Sequence, residues 1–155
     1  NLLFPAGPLR ESRKRSKEVD FIVNNSGPTE GDEFLMNITP NKFVHLNSAK
    51  SYEIDKWPMH RQVHAVAGLG NPGRFFDTLE NNSFVIEKQQ SFVDHHSFTL
   101  ADFTEFDDNI PLLMTEKDAV KCRDFCKDNW WYLPVDATFT HAEQQVLRDK
   151  IKAAI

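Results

Sequence analysis

From Gln62 onward the apolar residues switch between two periods, and that alternation constrains the fold more than any other feature of the chain. Val63 to Ala67, apolar at every position but His64, reads as a buried strand of the kind that is covered on both faces. A helical pattern follows at about Pro72 to Asn81, then a strand at Phe84 to Glu87 and a short helix near Leu100 to Phe106. A strand at Ile110 to Met114, a helix at Glu116 to Lys127, a strand at Trp130 to Val135 and a helix at His141 to Ala154 complete the series. Strands alternating with helices predict an α/β fold: a mostly parallel sheet with helices on both faces, a Rossmann-like three-layer sandwich. Binding groups in such sheets gather at the carboxyl ends of the strands.

The residues before Gln62 follow a different pattern. Arg10 to Lys17 carry five basic side chains and one acidic one, and Val19 to Asn24 reads as a strand ending at Asn25-Ser26-Gly27-Pro28. Phe34 to Ile38 and Phe43 to Leu46, joined by Thr39-Pro40-Asn41-Lys42, predict a short two-stranded β-ribbon, with an irregular stretch through Pro58. The expected divisions are therefore 1–33, a linker at 34–61 and an α/β segment at 62–155. The chain opens inside the apolar, Pro-rich phrase Asn1-Leu2-Leu3-Phe4-Pro5 with no charged region ahead of it, which reads as part of a longer protein rather than a signal peptide.

Charge and cysteine usage narrow the functions. With 18 Lys and Arg against 23 Asp and Glu in 155 residues, the chain lacks the cationic surplus that a general nucleic-acid binder needs. No stretch approaches the roughly 20 apolar residues of a membrane-spanning helix. Cys122 and Cys126 sit four apart within a helical pattern, too few for a disulfide framework and wrongly spaced for C-x-x-C.

Three phrases carry chemistry. Gly68-Leu69-Gly70-Asn71-Pro72-Gly73 follows a strand and opens a helix, so it matches the dinucleotide fingerprint, with Glu87 ending the next strand where a ribose-binding acid would sit. Pro72 removes one backbone donor from such a loop, and the competing reading is a tight strand-to-helix turn. Phe92-Val93-Asp94-His95-His96-Ser97-Phe98 places a carboxylate and two imidazoles in one loop, suited to proton transfer or metal ligation. An Asp-His-His phrase invites comparison with DHH-type metal-dependent phosphoesterases, yet no Asp-x-Asp pair precedes it and Asp107-Asp108 lies in a solvated acidic stretch. Thr115-Glu116-Lys117-Asp118 has the form of a capping box, with an exposed Lys117 reaching a phosphate as the functional alternative. Trp130-Trp131-Tyr132 reads as core and sheet-edge packing. These residues alone leave open a standalone Rossmann-like nucleotide-binding domain or a phosphoesterase.

Four phrases in order give a more specific reading. Leu3-Phe4-Pro5-Ala6-Gly7-Pro8-Leu9-Arg10-Glu11, Ala67-Gly68-Leu69-Gly70-Asn71-Pro72-Gly73-Arg74-Phe75-Phe76, Phe92-Val93-Asp94-His95-His96 and Leu113-Met114-Thr115-Glu116-Lys117-Asp118-Ala119-Val120-Lys121 together resemble the C-terminal half of the tetraacyldisaccharide 4'-kinase family. The resemblance implies a lipid A kinase of Gram-negative bacteria that moves the ATP γ-phosphate to the 4'-hydroxyl of a tetraacylated disaccharide 1-phosphate. It also implies Mg²⁺ as cofactor and a peripheral position on the cytoplasmic face of the inner membrane. Residues 1–33 would then end the N-terminal kinase domain. Its P-loop would lie outside this chain, in which no Gly is immediately followed by Lys. The resemblance assigns Arg10 and Glu11 to the nucleotide, with Glu11 near its Mg²⁺. It assigns His95, with Asp94 fixing its loop, to the catalytic base of the other half. The Gly68 to Gly73 phrase becomes a structural turn. The basic run Arg13 to Lys17 is a candidate membrane contact, each such side chain adding roughly 1 kcal/mol beside an anionic surface.

Overall fold

The computed structural model describes residues 12–25 and 28–153. Through these the chain runs in order along β1 (Val23–Asn24), β2 (Phe34–Leu35), β3 (Asn37–Pro40), β4 (Lys42–His45) and β5 (Ser51–Glu53). Next come β6 (Gln62–Ala67), α1 (Gly73–Asn81), β7 (Val85–Ser91), β8 (Leu112–Thr115), α2 (Glu116–Cys122), β9 (Trp130–Leu133), β10 (Val135–Thr138) and α3 (His141–Ala153). Two packed units result, one from Pro40–Asp136 and one from the residues up to Thr39 together with those from Ala137.

The larger unit is a six-stranded sheet in the order β5-β4-β9-β8-β6-β7. β7, β6, β8 and β9 run parallel, and β4 pairs antiparallel with both β9 and β5. Alternating side chains of the inner strands enter opposite cores, as the two-residue period of a strand requires. Val63, Ala65, Ala67, Leu113, Trp131 and Leu133 pack with Phe75, Phe76 and Leu79 of α1. Val66, Leu112, Met114 and Trp130 pack on the other side with Ala119 and Cys122 of α2 and with Phe98, Phe103 and Phe106. The expected three layers are present because these strands are apolar on both faces.

The expected ribbon takes different partners. A two-stranded ribbon exists, but it pairs β3 with β10, while Phe34–Leu35 pairs in parallel with Val23–Asn24. The segment expected to form its second strand, β4, extends the large sheet instead. The reason is burial: Phe43 is fully enclosed against Trp57 and Phe84, whose ring centroids lie 4.9 and 5.2 Å away, and a free ribbon could not cover it.

In the smaller unit α3 opens with a reciprocal capping box. The Glu143 N–H donates to Thr140 Oγ1 at 3.3 Å and the Thr140 N–H donates to Glu143 Oε2 at 2.9 Å. Glu143 Oε1 also accepts the Leu35 N–H at 3.1 Å, tying the helix to β2. Arg13–Glu18, within the basic run, forms a short 3₁₀ helix that Ser12 caps. No helix among the described residues is long and apolar enough to cross a membrane.

Candidate active-site edge

β6 leads through α1 to β7 on one side, and β8 leads through α2 to β9 on the other, so the winding reverses between β6 and β8. Crevices at such reversals are where parallel sheets bind ligands. All three chemical phrases lie at this carboxyl edge: Gly68–Gly73 after β6, Phe92–Phe98 after β7 and Thr115–Asp118 at the end of β8.

Asp118 bridges the ends of β6 and β8. Its carboxylate is fully buried, and Oδ2 accepts the Gly68 N–H at 2.8 Å and the Thr115 hydroxyl at 2.7 Å. Oδ1 faces Lys121 Nζ at 3.5 Å, an ion pair without hydrogen-bond alignment. The predicted capping box is therefore half made. Thr115 Oγ1 accepts the Asp118 N–H at 3.3 Å as an N-cap should, but the Asp118 carboxylate crosses to the Gly-rich turn instead of returning to the Thr115 amide. This contact explains the first glycine, since a Cβ at position 68 would come within 2.9 Å of Asp118 Oδ1. It also removes a donor that a dinucleotide loop would offer to pyrophosphate. Around Gly70 a Cβ would meet nothing within 4 Å.

The Asp94 loop is anchored differently. His96 N–H donates to the Val93 carbonyl at 3.1 Å, making a four-residue turn with Asp94 and His95 at its centre. His95 has φ of 64°, a left-handed conformation that usually falls to Gly or Asn and costs a residue with a Cβ about 1–2 kcal/mol. Its N–H donates to Asp94 Oδ1 at 3.0 Å, and the same oxygen accepts from Lys117 Nζ on α2. The Lys117 hydrogen bond is the main cause holding the Asp94 carboxyl below its ordinary range. The His95 side chain is 82% exposed, with Nε2 3.6 Å from Asp94 Oδ2.

His96 turns inward instead. It stacks on Phe92 with centroids 4.6 Å apart and meets Asp102 Oδ2 at 3.3 Å. Burial works to raise the Asp102 carboxyl, but the Thr99 amide and hydroxyl and His96 outweigh it and keep Asp102 low. The two adjacent histidines thus divide: His96 pins the loop, and His95 presents its imidazole to solvent beside a carboxylate, an arrangement able to accept or relay a proton.

Arg10 and Glu11 lie outside the described residues, so the structure brings together two of the four expected site residues, Asp94 and His95. Asp107 and Asp108 are engaged elsewhere, with Asn109 and Lys127. Among the described residues no three His, Cys, Asp or Glu side chains converge as a metal-holding group. The tie from Lys117 to Asp94 had no signature in the sequence beyond the place of both residues at strand ends.

The model of the LpxK family, described as tetraacyldisaccharide-1-P 4'-kinase, matches residues 1–155. The chain belongs to the LpxK family. It is 50% identical to a tetraacyldisaccharide 4'-kinase of Colwellia psychrerythraea across 99% of this chain and 47% of the relative. It is 46% identical to a tetraacyldisaccharide 4'-kinase of Shewanella woodyi across 99% of this chain and 44% of that one. This LpxK-family chain thus spans about half the length of the curated relatives it matches. A solved structure of LpxK from Aquifex aeolicus in complex with ATP superimposes with a TM-score of 0.69 at 25% identity, over 97% of this chain and 47% of that one.

Proposed function

We propose that this chain is the C-terminal half of an ATP-dependent kinase that phosphorylates the 4'-hydroxyl of a tetraacyldisaccharide 1-phosphate in lipid A synthesis. The observation that carries the reading is the 50% identity to a tetraacyldisaccharide 4'-kinase over 99% of the chain. Support for ATP as donor comes from the nucleotide in the Aquifex aeolicus LpxK complex.

The chain's own residues take a limited part of the work. The sequence has no Gly-Lys pair from which a P-loop could be made, Pro72 has no N–H, and the Gly68 N–H is committed to Asp118. The phosphate cradle therefore belongs to the half of the enzyme outside this chain. Mg²⁺ neutralises phosphate charge when bound. Glu11 is the one candidate ligand assigned here, a carboxylate suited to a hard cation, and Arg10 is assigned to phosphate charge. His95 orients or activates the base that takes the proton from the attacking hydroxyl, and Asp94 fixes its turn. The exposed Lys14, Arg15 and Lys17 of the N-terminal 3₁₀ helix fit peripheral attachment to the anionic cytoplasmic face of the inner membrane.

The test compares two polypeptides. This chain alone should neither transfer phosphate to the lipid disaccharide nor bind ATP saturably at about micromolar concentration by calorimetry, because phosphoryl transfer depends on the cradle. The longer protein carrying an upstream P-loop should do both. Tight ATP or NAD binding by this chain alone, lost on changing Gly70, would replace the kinase reading with the dinucleotide one.

A further inference from the structure

We propose that Lys117 is a positioning residue for His95: its ammonium holds Asp94, and through Asp94 the left-handed turn that presents the imidazole. The inference rests on the kinase reading above and adds a residue to it.

Three observations converge. Lys117 occupies the first turn of α2, where a cation gains nothing from the helix dipole, and its ammonium reaches out of the helix to a carboxylate on another loop. The accepting atom, Asp94 Oδ1, is the one that also receives the His95 N–H at 3.0 Å. That N–H belongs to a residue at φ 64°, a conformation that persists only when its surroundings hold it.

The turn is held from both ends, and the ends differ. On the His96 side, stacking on Phe92 and the Asp102 contact at 3.3 Å fix the loop to the core. On the His95 side the tie is Lys117 to Asp94, with side chains 42% and 44% exposed. An exposed ion pair of this kind contributes little to overall stability. Its consequence is local: without it Asp94 can leave the His95 amide and swing toward the imidazole, whose Nε2 is 3.6 Å from Oδ2. The imidazole would then be displaced, with its Nε2 held as an N–H donor to the carboxylate and no longer available to accept a proton. Lys117 is thereby committed to a carboxylate rather than a phosphate.

Steady-state kinetics on the full-length kinase test this with Lys117→Met, Lys117→Arg, Asp94→Asn and His95→Ala, each with its melting temperature. A misplacement of about 1 Å can cost about 10²-fold in rate, so Lys117→Met should lower kcat by about 10- to 100-fold. KM for ATP should change by less than about threefold, because the loss falls on the transition state. Lys117→Arg should recover most of kcat, since it restores the cation, and a residue that merely supports folding would not give this pattern. In the Asp94→Asn background, Lys117→Met should add little further loss, as expected for two residues acting through one contact. Near-normal kcat in Lys117→Met beside a collapsed His95→Ala overturns the role of Lys117 and leaves the kinase reading standing. Near-normal kcat in His95→Ala overturns the role of His95 and, with it, the positioning role of Lys117. A Lys117→Met loss that follows a fall in melting temperature and is not restored by Arg also overturns the positioning role.

Discussion

The buried Asp118 carboxylate receives the backbone N–H of Gly68 at 2.8 Å, joining residues 50 apart across the point where the sheet reverses its winding. A motif that reads as a cofactor loop is thereby a packed joint between two strand ends.

The joint makes the glycines of the motif unequal. Gly68→Ala would press a Cβ to 2.9 Å from Asp118 Oδ1 and 3.3 Å from the Phe98 ring, so it should destabilise the domain by about 1–3 kcal/mol. Gly70→Ala should be neutral or slightly stabilising, since its Cβ meets nothing within 4 Å. Urea unfolding of both variants checks the contrast, and equal losses would contradict it.

Removing the acceptor should cost more than removing the glycine. Asp118→Ala leaves the Gly68 N–H and Lys121 without their buried partner, an expected loss of about 3 kcal/mol. Chemical denaturation measures it directly, and a change below about 1 kcal/mol would show that the joint carries little weight.

The sheet was legible in the sequence because Ala65 to Ala67, Leu112 to Met114 and Trp130 to Leu133 are apolar at consecutive positions, which few other structures accommodate. Phe43 was misplaced for a tertiary reason: its partners Trp57 and Phe84 lie far along the chain, and only their rings distinguish a sheet strand from a ribbon strand. The site was half legible. Asp94 and His95 are adjacent in sequence, but the tie from Asp94 to Lys117 depends on the order β8-β6-β7, and a left-handed conformation at a histidine has no residue signature.

A second histidine sets an acid limit on stability. His64 is buried on β6, accepts the Asp107 N–H at Nε2 (3.2 Å) and packs against Phe106, and burial is the main cause lowering its pKa. The unfolded chain therefore takes up a proton at this site first as pH falls through about 6.5, while the folded chain resists it. Stability from this group is present above that pH and is lost below it. Denaturation midpoints should fall between about pH 7 and about pH 5, and His64→Gln should flatten that slope. A slope unchanged by the substitution would assign it to other groups.

The two cysteines should differ in reactivity. Burial pushes the Cys122 thiol up to about 12, whereas Cys126 is only half buried, with its Sγ donating to the Arg123 carbonyl at 3.3 Å. Iodoacetamide should leave Cys122 unmodified in the folded protein and alkylate it after unfolding, as peptide mass spectrometry would read. Rapid labelling of Cys122 under native conditions would mean that the core beneath α2 opens readily.

The exposed imidazole of His95 carries the central claim, and kcat of His95→Ala in the full-length kinase tests it most directly. A group that acts on the proton in transit contributes about 10²- to 10⁴-fold, so kcat should fall within that range. KM for ATP should stay within about threefold and the melting temperature should not change, because the side chain is 82% exposed. A His95→Ala enzyme with near-normal kcat would contradict the account and leave the Asp94-His95-His96 turn as a feature of folding alone.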